Sequence, residues 1–262
     1  MDAYRAIHGP APECKTWPFL YRILDTAQPT INIDKASIHH IHEREPVKFF
    51  PQCAIKDIFN PKVDENPVEQ ILKCRCSTCT RCEALKPSEL EKVGGKIIKS
   101  STTLLAILIY IGHGYLIKYF GPNDRASDVS LDSVTSHLQH EENLETSKRI
   151  LYTDDVGAFC DIYNSARDIF QPPTFDLGGP TAPYGRSYRM PFLRDEPHAQ
   201  GASGKVRKFN IHDDYLGKGI KDADWYRNSK SEVSTRSYGD DQYESRCLIS
   251  TFHFSLNSRV RY

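Results

Sequence analysis

No nucleophile turn of the form G-x-S-x-G, no H-E-x-x-H helix and no phosphate loop G-x-x-x-x-G-K-[ST] occurs in this sequence. Serine-hydrolase, zinc-protease and P-loop chemistry therefore lack the residues they need at the spacing they need. Net charge is missing as well: Lys+Arg and Asp+Glu number 34 each. A balanced chain has no long-range attraction to nucleic acid or anionic membrane, so neither is an expected partner. Long apolar runs are scarce. The strongest is Thr103–Ile111, nine residues, after which Gly112, His113 and Gly114 dilute it and Lys118 follows. A spanning helix needs about 20 predominantly apolar residues. The preferred reading of Leu104–Ile117 is thus a buried core helix, with a membrane span as the alternative. Eight cysteines in 262 residues are too thin for a disulfide-stapled secreted domain. Nor does an apolar stretch of signal-peptide type follow Met1-Asp2-Ala3-Tyr4-Arg5. The expectation is a reducing intracellular compartment, cytoplasmic or nuclear, rather than secretion.

What is present builds a core along part of the chain. Hydrophobic residues make up 39%, below the usual globular share but above that of a disordered chain. Residues 1–60 read as an irregular segment, because Pro10, Pro12, Pro18, Pro29, Pro46 and Pro51 interrupt every periodic run. Within it, a short helix is expected near Phe19–Asp25 and a short strand at Ile31-Asn32-Ile33. Residues 61–120 read as a helical region. Asn66-Pro67 is a helix start, followed by Val68, Ile71 and Leu72 at i, i+3, i+4 spacing. Pro87–Val93 suggests another short helix, closed by Gly94-Gly95. Residues 121–150 read as a polar linker with at most a frayed helix near Val134–Leu144.

Residues 151–189 combine a helix and a Pro/Gly-rich loop. Asp154-Asp155 starts the helix, and Phe159, Ile162, Tyr163, Ala166, Ile169 and Phe170 form its face. Strands are expected at Met190–Leu193 and Lys205–Ile211, inside a hairpin fragment at 190–216. Residues 217–262 form a polar tail, expected to be poorly ordered. The fold class that follows is mainly α with a small β-hairpin (α+β) and long irregular flanking segments.

Two constellations could carry chemistry. The first is Cys74, Cys76, Cys79 and Cys82, spaced C-x-C-x-x-C-x-x-C. Zinc takes four thiolates tetrahedrally, usually from two pairs a dozen or more residues apart. Here one tight loop would have to wrap the ion, or His39, His40 or His42 would replace Cys82. The preferred reading is reduced cysteines at a loop or helix end. The alternative is a structural zinc site. Adjacent carboxylates at Asp154-Asp155, Asp213-Asp214 and Asp240-Asp241 point in different directions along a helix or strand, and are read as caps and solvated turns.

The second constellation is Gly201 and Gly204 ahead of Val206. Glycines at this spacing let backbone amides approach a phosphate, although any turn between two strands looks the same. The context is Pro191-Phe192-Leu193 before the loop and Val206–His212 after it. With that context the segment resembles the start of the kinase domain in a large group of uncharacterised fungal protein kinases. Against their pattern G-x-G-x-x-G-x-V, Ala199 replaces the first glycine, Gly201 and Gly204 match the second and third, and Val206 matches the valine. Ser203 stands where an aromatic residue is usual. That group often carries a helical region upstream, with a segment similar to Ser101–Ile111. The resemblance covers roughly Phe59–Leu216 and is specific only near 191–212.

The resemblance implies binding of ATP with Mg and phosphorylation of protein in an intact relative, with the upstream helices regulating or localising the kinase. This chain lacks the strand lysine, the H-R-D and the D-F-G that orient the metal–phosphate complex, and only 56 residues follow Val206. The expectation is a non-catalytic, truncated fragment with no catalytic residues and a vestigial glycine loop at Ala199, Gly201, Gly204 and Val206. No cofactor is expected apart from the zinc alternative at Cys74–Cys82, and any partner is expected to be a protein.

Overall fold

The computed structural model describes residues 16–26, 28, 32–33, 49–59, 66–80, 82, 85–121, 127–128, 130–176, 179–180, 191–201, 204–224 and 249–251. The chain is mainly helical and divides into two compact units, one from 1–27 with 52–170 and one from 28–51 with 171–262.

The first unit is built from nine helices among the described residues: α1 (Thr16–Thr26), α2 (Gln52–Ile58), α3 (Pro67–Lys73), α4 (Pro87–Ser100), α5 (Thr102–Tyr110), α6 (Ile117–Phe120), α7 (Ser133–Gln139), α8 (Leu144–Leu151) and α9 (Val156–Phe170). α5 is its centre. Leu104 through Ile109 are fully buried, and α1, α2, α4 and α9 all pack against this helix. Six consecutive buried side chains leave α5 no polar face, which is the signature of a helix enclosed on every side. Such burial stabilises by roughly 1.5–3 kcal/mol for each large aliphatic side chain.

Local signals account for the starts of α3 and α9. The Asn66 side chain accepts the amide proton of Val68 at 2.9 Å, and Pro67 occupies the first turn. Val68, Ile71 and Leu72 are the buried stripe. At α9, the Asp155 carboxylate accepts from the Ala158 amide at 2.8 Å. Phe159, Tyr163, Ala166 and Phe170 are buried on one face, while Ile162 and Ile169 are half-buried. α1 covers the short helix expected near Phe19–Asp25.

Three expectations change. Leu104–Ile117 is buried apart from the half-buried Tyr110 and His113, but it is not one helix. α5 stops at Tyr110, Gly112 adopts φ 79°, and the chain re-forms as a 3-10 turn at Gly114–Leu116 before α6. Left-handed backbone of this kind cannot continue a right-handed helix, and glycine adopts it without steric cost. Gly94-Gly95 does not close its helix either. α4 runs through both glycines to Ser100, because Val93 and Ile97 keep the periodic buried face going. The polar stretch 121–150 contains α7 and most of α8, whose Val134, Leu138 and Ile150 are buried. One residue of that stretch, Asp128, caps the central helix. Its carboxylate accepts from the amides of Thr103 (3.1 Å) and Leu104 (2.9 Å) and from the Thr102 hydroxyl (3.2 Å).

Among the described residues no single helix is long and apolar enough to cross a membrane; the chain turns by 93° between α4 and α5. Cys53 is disulfide-bonded. The histidines at 39, 40 and 42 lie outside the described residues, as does most of the tail after Asp224.

In the second unit, β4 (Phe192–Gly201) and β5 (Gly204–His212) pair antiparallel. Two short strands flank them: β1 (Asn32–Ile33), parallel to β4, and β6 (Ile249–Thr251), antiparallel to β5. A smaller ladder joins β2 (Phe175–Asp176) to β3 (Gly179–Pro180). Below the strand ends, Phe49, Leu193, Ile211, Tyr215, Leu216 and Ile220 form a buried cluster, and the Tyr215 hydroxyl donates to the Phe50 carbonyl at 2.8 Å. Helix α10 (Lys218–Asp222) begins against Asp176, whose carboxylate accepts from the Ile220 amide. A Cβ at Gly217 would fall 2.5 Å from that carboxylate, so a side chain here requires Asp176 to shift.

Candidate metal centre

The cysteine loop follows directly from α3. Cys74 ends that helix with extended backbone, its amide still bonded to the Ile71 carbonyl. The chain then closes a turn in which the Thr80 amide and hydroxyl both donate to the Cys76 carbonyl, at 3.1 and 3.0 Å. The Cys79 amide donates to the Cys76 sulfur at 3.4 Å. The thiolate is the form that binds metal.

The result is convergence. The Sγ atoms of Cys74, Cys76 and Cys79 all lie within 4.8 Å of one another, with Cys74 and Cys76 half-buried and Cys79 buried. Zinc–sulfur bonds of about 2.3 Å place tetrahedral sulfurs about 3.8 Å apart, so small side-chain rotations bring three ligands onto one ion. This cluster can hold a metal ion. Cys82 is free and buried but is not part of the group. Burial pushes its thiol up to about 12, against the opposing pull of Lys118 and Arg149.

The residue that sequence reasoning missed is Lys118. It lies on α6, is 5% exposed, and donates from Nζ to the Cys74 carbonyl at 2.9 Å and the Cys79 carbonyl at 3.2 Å. One ammonium thus ties the two ends of the C-x-C-x-x-C loop together from 44 and 39 residues away. A charged residue inside the apolar stretch Tyr115–Phe120 was the available signal, since a lysine is almost never fully buried without a partner.

The glycine-loop residues belong to the second unit. Gly201 and Gly204 face each other where β4 and β5 meet, and Ala199 stands opposite Val206. Of the paired carboxylates, Asp155 is a helix cap and Asp213-Asp214 form a 3-10 turn beside His212, whose Nδ1 accepts the Asp214 amide proton. Burial holds the His212 ring below its ordinary pKa, opposed by Asp214 and Asp213.

No protein-family model matches the chain, and no curated protein or solved structure matches it.

Proposed function

We propose that the chain is a non-catalytic helical module whose cysteine loop takes a zinc ion for structure, and that it serves as a binding partner for other protein. One observation carries this reading: three thiols from six consecutive residues converge within 4.8 Å. Soft thiolates select zinc, copper(I) or iron–sulfur clusters over hard cations, and zinc is the usual structural occupant of all-sulfur sets. The sequence lacks the G-x-S-x-G, H-E-x-x-H and P-loop motifs and the H-R-D and D-F-G of protein kinases. Elemental analysis of purified protein is expected to give one zinc per chain, lost in Cys76→Ser and in Cys79→Ser. Metal-free wild-type protein after purification in zinc-supplemented medium would defeat the proposal.

A second reading rests on the hairpin. Ala199, Gly201, Gly204 and Val206 sit at the turn end of two paired strands, as a kinase glycine loop requires. On this reading the chain is the pre-kinase helical region and opening strands of a protein kinase, intracellular and inactive alone. A turn of backbone amides offers about 1 kcal/mol net per hydrogen bond, against roughly 4 kcal/mol or more of lost translational and rotational freedom. Titration calorimetry with Mg-ATP is therefore expected to show no binding tighter than about 1 mM. Micromolar binding abolished by Gly201→Val would replace the fragment with a complete nucleotide site.

A further inference from the structure

We infer that Lys118 is the positioning and charge-balancing residue of the cysteine centre, acting on the metal through the Cys74–Cys79 loop. The inference rests on the metal reading above and concerns how that site works.

Three thiolates around a divalent ion carry a net charge of minus one. Placing such an anion in a partly buried loop is costly unless a cation is held nearby. Lys118 supplies that cation without competing for the metal. Its ammonium is occupied by the Cys74 and Cys79 carbonyls, and a lysine head offers three donors and no acceptor. The bonds also fix the loop ends, so the residue sets the sulfur spacing and balances the charge of the assembly that results. Arg149 also reaches this region, where it acts on the Cys82 thiol, and the loop itself carries Arg75 between Cys74 and Cys76. α6 presents Lys118 because the break at Gly112 redirects the chain after α5; a helix continued past Tyr110 would carry the residue elsewhere.

The two roles separate by substitution. Arginine keeps the charge and the donors. Glutamine keeps donors but loses the charge, and methionine loses both. Zinc affinity of the full chain, measured by competition with a chromogenic chelator, is expected to fall about 10- to 100-fold in Lys118→Gln and Lys118→Met, the range typical of outer-shell partners. Lys118→Arg is expected to retain most of the affinity. Circular dichroism of each metal-free variant establishes that it folds, and if Lys118→Met does not, the arginine–glutamine comparison carries the test. Equal affinities for those two variants, at any level, overturn the charge role. Wild-type protein that takes up no zinc defeats the metal reading itself. Zinc bound stoichiometrically by wild type, lost in Cys76→Ser but unaltered in Lys118→Gln, defeats only the role of Lys118.

Discussion

Helices α3 and α5 belong to the same unit and begin in opposite ways. α3 is started by its immediate neighbours, with Asn66 as cap and Pro67 in the first turn. The side chain at the equivalent position of α5, Ser101, makes no capping bond; its first amides are served by Asp128, which lies 24 and 25 residues further along the chain. The first helix is a local event that a short window of sequence specifies. The second exists in this form only once the segment around residue 128 has returned to it. Helices capped locally resist changes elsewhere, whereas a helix capped from afar ties two segments into one cooperative unit.

Substitutions can break this contrast. The largest effect is expected inside α5. Leu108→Asp places an unpaired carboxylate in a fully buried position and should cost roughly 5 kcal/mol or more, enough to unfold a marginal domain. Loss of the cooperative transition in urea is the readout; a folded variant would show that α5 is not the core. Next comes the distant cap. Asp128→Ala leaves two amides and a hydroxyl without their acceptor and should lower stability by about 2 kcal/mol. The local cap is smaller: Asn66→Ala should cost about 1 kcal/mol. A reversed order between these two would erase the distinction. At the bottom, the exposed Lys73–Glu69 pair spans one turn of α3, and Lys73→Ala should change stability by about 0.3 kcal/mol, less at high salt.

The same division explains what could be read in advance. Asn66-Pro67, the stripe Val68–Leu72 and the Asp155 start of α9 are short-range signals, and the structure has them in place. The stretch 121–150 defeated composition because its helices bury few residues each. Val134 and Leu138 carry one face of α7 while its remaining positions are polar and more exposed. Gly94 and Gly95 read as a stop because glycine usually ends helices, yet here the apolar period on either side overrides the preference. For the candidate site, the four cysteines were visible as a group. The alternative in which Cys82 is left out names the three that converge, Cys74, Cys76 and Cys79, but their spacing depends on the turn at Cys76–Thr80, which no short window of sequence gives. Lys118 was invisible as part of the site, since nothing local relates it to Cys74.

Gly217 carries a historical consequence. Its missing side chain leaves the space that the Asp176 carboxylate occupies, and that carboxylate in turn receives the Ile220 amide. The two positions do not change independently. A descendant that acquired alanine at 217 first would expel Asp176 and strip the start of α10 of its acceptor. One that lost Asp176 first would pass through a weakened but folded intermediate, after which a side chain at 217 becomes tolerable. Both orders lose the Asp176–Ile220 bond, but a side chain at 217 first also forces Asp176 to shift, so the route through 176 is the easier one. Substitutions at these two positions should accumulate together, with the aspartate changing before the glycine.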